Sequence, residues 1–112
     1  MTLLVLLLAC TDGAEDSAAP ATTVTECADV PGATWASFGD GFFGFYCRGC
    51  HAAETPDRYG APVDVNFDTR EDLRLHADRV RVRVLDEATM PVGGGVYPDD
   101  LVLLDVLLRC GL

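Results

Sequence analysis

The chain has 112 residues, enough for one small domain, and it carries 18 acidic residues against eight arginines and no lysine. The formal net charge of -10 disfavours nucleic acid and anionic lipid surfaces as partners and favours proteins with basic docking surfaces. A domain near ~100 residues buries only about two-thirds of its unfolded surface, so a small core of this kind benefits from cross-links.

Residues 1–10 read MTLLVLLLAC, with an apolar run over residues 3–8 that is too short to span ~30 Å of hydrocarbon. The run ends in Leu7-Leu8-Ala9-Cys10, which resembles a bacterial lipobox, and this resemblance makes Cys10 a candidate for lipidation after export. No Lys or Arg precedes the run. A signal that starts upstream of Met1 and an ordinary apolar N-terminus therefore both stay open as alternatives.

Residues 11–26 are rich in Ala, Thr, Asp and Glu and too poor in large apolar residues to order themselves, so we interpret them as a flexible linker. The domain then covers residues 27–112. Export would place it in an oxidising periplasm, where disulfides persist. Once Cys10 and the two cysteines of the central motif are set aside, Cys27 and Cys110 remain. We expect them to form a disulfide worth ~4 kcal/mol by chain entropy, the alternative being free or intermolecular thiols.

Aromatic residues at helical spacing predict a first helix over residues 35–50. The predicted apolar face consists of Phe38, Phe42, Phe45 and Tyr46, with Phe43 adjacent. Three glycines weaken this helix and are expected to let another helix approach closely: Gly39, Gly41 and Gly44.

Residues 52–68 contain Pro and Gly breakers and are predicted to be a loop. Thr69 has the character of an N-cap for a second helix, with acidic residues in its first turn. The face of this helix would be formed by Leu73, Ala77, Val80 and Val84. The alternating stretch RVRVRV at 79–84 also fits a strand by its period, so that alternative stays open.

Residues 89–97, TMPVGGGVY, are predicted to be a second long loop. Pro98 then begins a last helix with Arg109 near its C-terminal end, where a cation suits the helix dipole. Its buried side would contain Leu101, Leu104, Leu107 and Leu108. The predicted fold class is therefore all-α, with about three helices and two long loops of the kind that usually serve a site.

The stretch FYCRGCH at 45–51 places two thiols and an imidazole within five positions. Zinc would need four ligands, and the sequence offers no second closely spaced pair. A redox dithiol normally follows a strand and opens a helix, whereas this motif ends a helix. The pattern C-x-x-C-H is that of covalent haem attachment, with Cys47 and Cys50 bonded to the porphyrin and His51 as an iron ligand.

Taken together, residues 34–112 resemble a class I c-type cytochrome, in particular the small single-haem domains of exported bacterial lipoproteins. The resemblance rests on the aromatic helix that runs into C-x-x-C-H, the Pro-containing loop around Pro62, and Met90-Pro91 before the last helix. It implies a cytochrome c-like domain wrapped around one covalently bound haem c. Met90 would be the sixth iron ligand, and the Pro62 carbonyl would accept a hydrogen bond from His51.

Two further residues carry alternatives. Arg58 is a candidate partner for a haem propionate, or else an ordinary exposed arginine. His76 falls at the edge of the second helix's apolar face, where a structural or surface role is expected; as a distal ligand in place of Met90 it would give bis-histidine iron.

The function expected from the resemblance is electron transfer by a periplasmic carrier that is attached to a membrane through its lipid alone, and not enzymatic catalysis. Apolar residues around the haem would raise its potential, and the expected set is Phe42, Phe45, Val80, Val84 and Leu104. Two rival functions stay open. One is a five-coordinate haem protein acting as a gas sensor or peroxidase, and the other is a haem-free, disulfide-stapled interaction domain.

Overall fold

A computed structural model describes Cys27 and residues 32–112. Its elements are a π-helical segment Trp35–Gly39, helix α1 Asp40–Tyr46, helix α2 Arg70–Val80, a π-helical segment Arg81–Asp86 and helix α3 Pro98–Cys110. Three α-helices and no strand occur over the described residues, which confirms the all-α prediction at that level. The predicted export segment 1–10 with Cys10 and the linker 11–26 lie outside the described residues.

The first helical stretch begins with a reciprocal cap at Thr34. The Ser37 amide donates to Thr34 Oγ1 over 3.1 Å, and the Thr34 amide donates to Ser37 Oγ over 3.0 Å. Helix α1 ends at Tyr46, four residues earlier than predicted, because the backbone leaves helical geometry at Cys47 with φ -123°. Residues 47–50 therefore form a turn that follows the helix.

The inward face of this stretch differs from the predicted one. Phe43 is fully buried, whereas Phe45 is 78% exposed, so the prediction that Phe45 shares the buried face is wrong. The reason is ordinary helix geometry, since the buried side of α1 is centred between Phe42 and Phe43, which leaves Phe45 outside it. Phe43 packs against Phe67 with ring centroids 5.0 Å apart.

Helix α2 begins where the sequence predicts. The Asp72 amide donates to Thr69 Oγ1 over 3.1 Å, and the Asp72 carboxylate accepts from the Thr69 amide over 2.9 Å, forming a capping box. Leu73, Val80 and Val84 are buried on one face, as predicted. The alternating stretch 79–84 is helical, so of the two open readings the helix is confirmed and the strand is wrong.

Helix α3 crosses the first helical stretch at Gly39. A methyl group on Gly39 would lie 3.0 Å from the Leu107 side chain, so here the predicted close approach of a second helix requires glycine. A methyl group on Gly41 would have no atom within 4 Å, and one on Gly44 would lie next to the Arg48 side chain. One of the three glycines therefore carries the role predicted for all of them.

The last helix is also joined to the Arg81–Asp86 segment by an ion pair. Arg81 donates to the Asp105 carboxylate over 2.8 Å, and Arg109, one turn further along α3, donates to the same group. Desolvation acts to raise the pKa of Asp105, but the hydrogen bonds from Arg81 and Arg109 outweigh it and hold that pKa below its ordinary value.

The two ends of the domain meet. Cys27 and Cys110 form a disulfide with an S–S distance of 2.04 Å, the pairing expected from the sequence. Nearby, Gly111 leaves no room for a side chain, because a methyl group there would lie 2.2 Å from the Ala33 carbonyl oxygen. The end of α3 is thus packed tightly against the start of the domain.

Candidate functional site

A cavity of about 690 Å³ lies between the turn after α1, the loop before α2, the α2 helix and the loop before α3. Its volume falls within the range of roughly 300–1,000 Å³ typical of ligand and cofactor sites. Three residues that the sequence singled out for haem binding line it together: Cys47, His51 and Met90. Chain segments that are distant in sequence thus converge on one space.

The C-x-x-C-H motif is folded as a compact turn. The Cys50 and His51 amides both donate to the Cys47 carbonyl, over 3.1 and 2.9 Å. Cys47 lines the cavity, while Cys50 is half-buried and does not line it. Between the two cysteines, Arg48 donates to the Phe67 carbonyl over 2.8 Å and pairs with Asp40, which ties the turn to α1 and to the loop before α2.

The His51 ring is oriented by the opposite side of that loop. His51 Nδ1 lies 2.9 Å from the Val65 carbonyl oxygen. Since a carbonyl can only accept, Nδ1 must carry the proton, and in the neutral ring Nε2 keeps a free lone pair. The His51 carbonyl in turn accepts from the Phe67 amide over 2.9 Å. The imidazole is therefore held in the tautomer and position that a metal ligand needs.

The prediction that the Pro62 carbonyl accepts a hydrogen bond from His51 is wrong. Pro62 lines the cavity, but its carbonyl accepts from the Val65 amide over 3.1 Å and from Arg58 over 2.6 Å. The bond from the Val65 amide closes a turn over residues 62–65. The Pro62 carbonyl is engaged within that turn, and the Val65 carbonyl is the one that lies beside His51. A backbone carbonyl does fix the His51 ring, but it belongs to Val65, three residues further along the chain than Pro62.

Arg58 holds this loop in shape. Its guanidinium donates to the carbonyls of Ala52, Pro62 and Val65, over 2.6, 2.6 and 3.0 Å, and to that of Ala61 over 3.3 Å. With its donors engaged in this way, Arg58 is half-buried and holds the loop together, so the reading as an ordinary exposed arginine is wrong. A contact between Arg58 and a haem propionate stays a prediction.

His76 also lines the cavity, on the same side as His51. His76 Nε2 lies 3.2 Å from the Asp64 carbonyl oxygen, next to the Val65 carbonyl that orients His51. Both imidazoles contact the Phe67 ring, with centroid distances of 5.6 Å for His51 and 5.9 Å for His76. The two histidines are therefore neighbours on one wall, and His76 has the half-buried structural setting expected for it.

Met90 reaches the cavity from a loop with few anchors. The Thr89 and Met90 amides both donate to the Arg83 carbonyl, over 2.8 and 3.0 Å. Beyond them, Gly93, Gly94 and Gly95 all have positive φ values, which glycine alone adopts without strain. The Met90 side chain is 37% exposed, so its thioether is accessible from the cavity without being packed in the core.

The cavity wall is mainly apolar and partly differs from the predicted shell. Val80 and Val84 line it as expected, whereas Phe42, Phe45 and Leu104 do not. Other apolar and aromatic residues take their place: Phe43, Tyr46, Val65 and Phe67. On α1 the cavity is lined by Phe43 and Tyr46, which lie three residues apart on one side of the helix, whereas Phe45 lies on the exposed side.

Two arginines on the wall were missed by the sequence reasoning. Arg79 and Arg83 lie four residues apart on the helical stretch that borders the cavity, and a single carboxylate, Asp64, lines it with them. Arg83 also pairs with Glu87 over 3.3 Å, while no carboxylate of the described residues pairs with Arg79. The RVRVRV pattern contained the signal, because helical spacing places Arg79 and Arg83 on one face.

The Cys47 thiol is not of the activated kind. Burial raises its pKa to about 12, against a smaller opposing effect of the Arg48 guanidinium. Such a thiol is protonated at neutral pH, whereas the nucleophilic cysteine of a redox dithiol has a depressed pKa. Among the described residues, no three His, Cys, Asp or Glu side chains are grouped as metal ligands, an arrangement that zinc would need.

The residues present fit the haem that the motif implies. Cys47 and Cys50 are free thiols, the Val65 carbonyl engages His51 at Nδ1 and leaves Nε2 toward a metal, and Met90 offers a sulfur from the loop before α3. An apolar wall suits a porphyrin face, and the guanidinium groups of Arg79 and Arg83 suit its carboxylates.

No helix of the described chain is both long and apolar enough to cross a membrane. No protein-family model matches the sequence, and neither a curated protein nor a solved structure shows significant similarity to it.

Proposed function

We propose that residues 27–112 form a single-haem c-type cytochrome that carries electrons. The observation that carries this proposal is the convergence of Cys47, His51 and Met90 on one cavity with a mainly apolar wall. Thiol, imidazole and thioether are the three ligand types that covalent attachment and His/Met ligation require.

In this proposal each residue has a defined task. Cys47 and Cys50 form thioether bonds that keep the porphyrin attached, and His51 Nε2 and the Met90 sulfur bind the metal. The Val65 carbonyl fixes the His51 ring through Nδ1–H. When bound, the haem supplies a one-electron Fe(II)/Fe(III) couple.

The placement of the two candidate distal ligands supports Met90 over His76. His51 and His76 hydrogen-bond to consecutive carbonyls of one loop and contact the same Phe67 ring. Met90 belongs to a separate loop anchored at Arg83, so its sulfur would hold the iron together with His51 without sharing the part of the wall that His51 and His76 occupy.

We propose a carrier because iron held by both His51 and Met90 would be left without a free site for substrates or diatomic gases, so that electron transfer would be the remaining activity. One observation favours the five-coordinate alternative, because Met90 is 37% exposed and precedes three glycines with positive φ. A gas sensor or peroxidase would result if the thioether did not bind.

The proposed location is the periplasmic side of a bacterial membrane, with Cys10 lipidated. The Cys27–Cys110 disulfide supports an oxidising compartment, in which structural disulfides persist. The lipid anchor rests on the lipobox resemblance alone.

The deciding experiment is to produce the protein in a host that attaches haem to C-x-x-C-H motifs. We expect the denatured polypeptide to gain the mass of one haem and to show the spectrum of low-spin iron in both redox states. High-spin iron that readily binds CO would instead support the sensor or peroxidase. Colourless protein with Cys47 and Cys50 still open to alkylation would overturn the haem proposal itself.

A further inference from the structure

A second, more open cavity of about 320 Å³ lies between α1 and the start of α3. Aromatic side chains form most of its wall: Phe38, Phe42, Phe45, Tyr46 and Tyr97. We call it the aromatic groove. Phe45 is 78% exposed and Tyr97 is 68% exposed. Burial of either ring would lower the free energy of the protein in water.

Clustered exposed aromatics are unusual on a small acidic domain. Interfaces are enriched in aromatic residues at their centres, and residues of this type supply much of the binding energy there. The Phe45 and Tyr46 rings also pack edge to face, with centroids 4.8 Å apart, so the groove wall is preformed.

The charges around the aromatic groove are acidic. Asp100 lines it, Asp99 precedes that residue in the exposed first turn of α3, and Asp40 is adjacent to the lining residue Gly41. No arginine lines the groove, whereas Arg79 and Arg83 line the haem cavity. Asp40 is already paired with Arg48, so Asp99 and Asp100 are the main charges available to a partner. An apolar centre with an acidic edge complements an apolar patch edged by lysine or arginine.

Tyr46 connects the two cavities, because its side chain lines both of them. Its hydroxyl donates to the Asp100 carboxylate over 2.8 Å and accepts from the Tyr97 amide over 3.4 Å. These bonds fix the ring between the groove and the proposed haem cavity. A molecule seated in the aromatic groove is therefore separated from the larger cavity by one side chain.

We propose that the aromatic groove is the docking surface for a small, one-electron redox protein with a basic rim, and that Tyr46 is the contact between this partner and the haem cavity. This inference rests on the proposed function. In each transfer the reduced partner loses one electron and the iron gains it, with no bond made or broken and no proton moved.

The test uses the full-length haem-loaded protein and, as the probe, a reduced cupredoxin with a lysine-rich surface. Its copper band is separable from the haem spectrum in stopped-flow mixing. We expect Phe45→Ala to weaken binding about tenfold, the loss typical of an interface anchor. Leu75→Ala is the matched control, because Leu75 is 77% exposed on α2 and lines neither cavity, and it should leave binding unchanged.

The role of Tyr46 has its own measurement. Leu75→Ala, again the control, should leave the first-order transfer rate within the complex close to that of the wild type. Tyr46→Leu should slow that rate while changing the dissociation constant less than Phe45→Ala does. Equal first-order rates in all three proteins would overturn the assignment of Tyr46.

Binding is read independently of electron transfer from NMR shifts of the Phe45 and Tyr97 rings on addition of the cupredoxin. Shifts confined to the groove that weaken as salt is added support the docking surface. Equal effects of Phe45→Ala and Leu75→Ala, or binding insensitive to salt, would reject it. Protein that lacks haem would lack the haem absorption bands, and this would contradict the proposed function. Haem-loaded protein that does not bind the cupredoxin at the aromatic groove would contradict the docking proposal alone.

Discussion

The two walls that would face the haem are built differently. On the His51 wall, Arg58 binds four loop carbonyls, Arg48 binds a fifth, and His51 is fixed through both its ring and its backbone. On the Met90 wall, two amide bonds to the Arg83 carbonyl precede a run of three glycines with positive φ. The domain thus combines a firmly held imidazole at His51 with a thioether at Met90 whose loop has few anchors. The first wall would set the position of the haem, and the second would set its sixth ligand.

The largest expected effect comes from removing the two thiols of the C-x-x-C-H motif, which precede His51 on the His51 wall. We expect the double substitution Cys47→Ser, Cys50→Ser to abolish covalently retained haem, because the thioether bonds have no other source in the motif. The measurement is the mass of the denatured polypeptide. The matched control is Cys27→Ser, Cys110→Ser, which removes two other cysteines; it should keep the haem and lower the free energy of unfolding by about 2–5 kcal/mol. Equal haem retention in both variants would contradict the prediction.

The proposed role of the Met90 wall in binding the iron is tested by Met90→Ala. We expect this variant to keep its haem but to lose the sulfur-to-iron charge-transfer band of the oxidised form, to bind CO readily and to have a lower reduction potential. The control is His76→Ala, which should retain the band because His76 lies on the His51 side of the cavity. Loss of the band in His76→Ala with retention in Met90→Ala would reverse the ligand assignment.

The support behind His51 is tested by Arg58→Gln. We expect a loss of about 2–3 kcal/mol in the free energy of unfolding, because charge-assisted hydrogen bonds to several carbonyls are removed at once. Urea unfolding followed by circular dichroism measures this. Arg74→Gln serves as the control, since Arg74 makes an exposed pair with Glu71 at 3.6 Å and should change stability by only about 0.5 kcal/mol. Similar losses in the two variants would show that the loop carbonyls do not depend on Arg58.

The smallest effect is expected at Asp105, which joins α3 to the Arg81–Asp86 segment where Met90 is anchored. At neutral pH, Asp105→Asn should cost about 1–2 kcal/mol of stability. The folded pKa of Asp105 is lowered, so its contribution exists above the unfolded pKa and is lost as pH falls through the folded pKa. The wild type and the variant should therefore converge in stability in acid. A difference that does not change with pH would exclude the carboxylate charge as its cause.

Local chemistry made several features predictable from the sequence. The N-cap at Thr69, the breaker-rich loops and the start of α3 at Pro98 depend on neighbouring residues, and they appear where expected. The candidate haem-binding residues were predicted from a short motif and one isolated methionine, and three of them, Cys47, His51 and Met90, line one cavity.

Features that depend on tertiary geometry were not predictable in the same way. The aromatic residues of α1 allow more than one apolar stripe, and only packing against distant residues such as Phe67 decides that Phe43 is buried and Phe45 is exposed. The shift from Pro62 to Val65 and the role of Arg58 follow from how a Pro-containing loop folds back on itself. Arg79 and Arg83 gain significance only once the cavity beside them is known.

The disulfide between Cys27 and Cys110 has a mechanical consequence. If the chain before Cys27 is fastened to a membrane, any pull on it passes through the disulfide into the end of α3. Helix α3 is held by Leu107 against Gly39 and by Asp105 against Arg81, so the force is taken up by the helix crossing. The loop that carries His51 makes neither of these contacts, whereas the Met90 loop is anchored to Arg83 in the segment that Asp105 holds, so tension on the tether would bear on Met90 more than on His51.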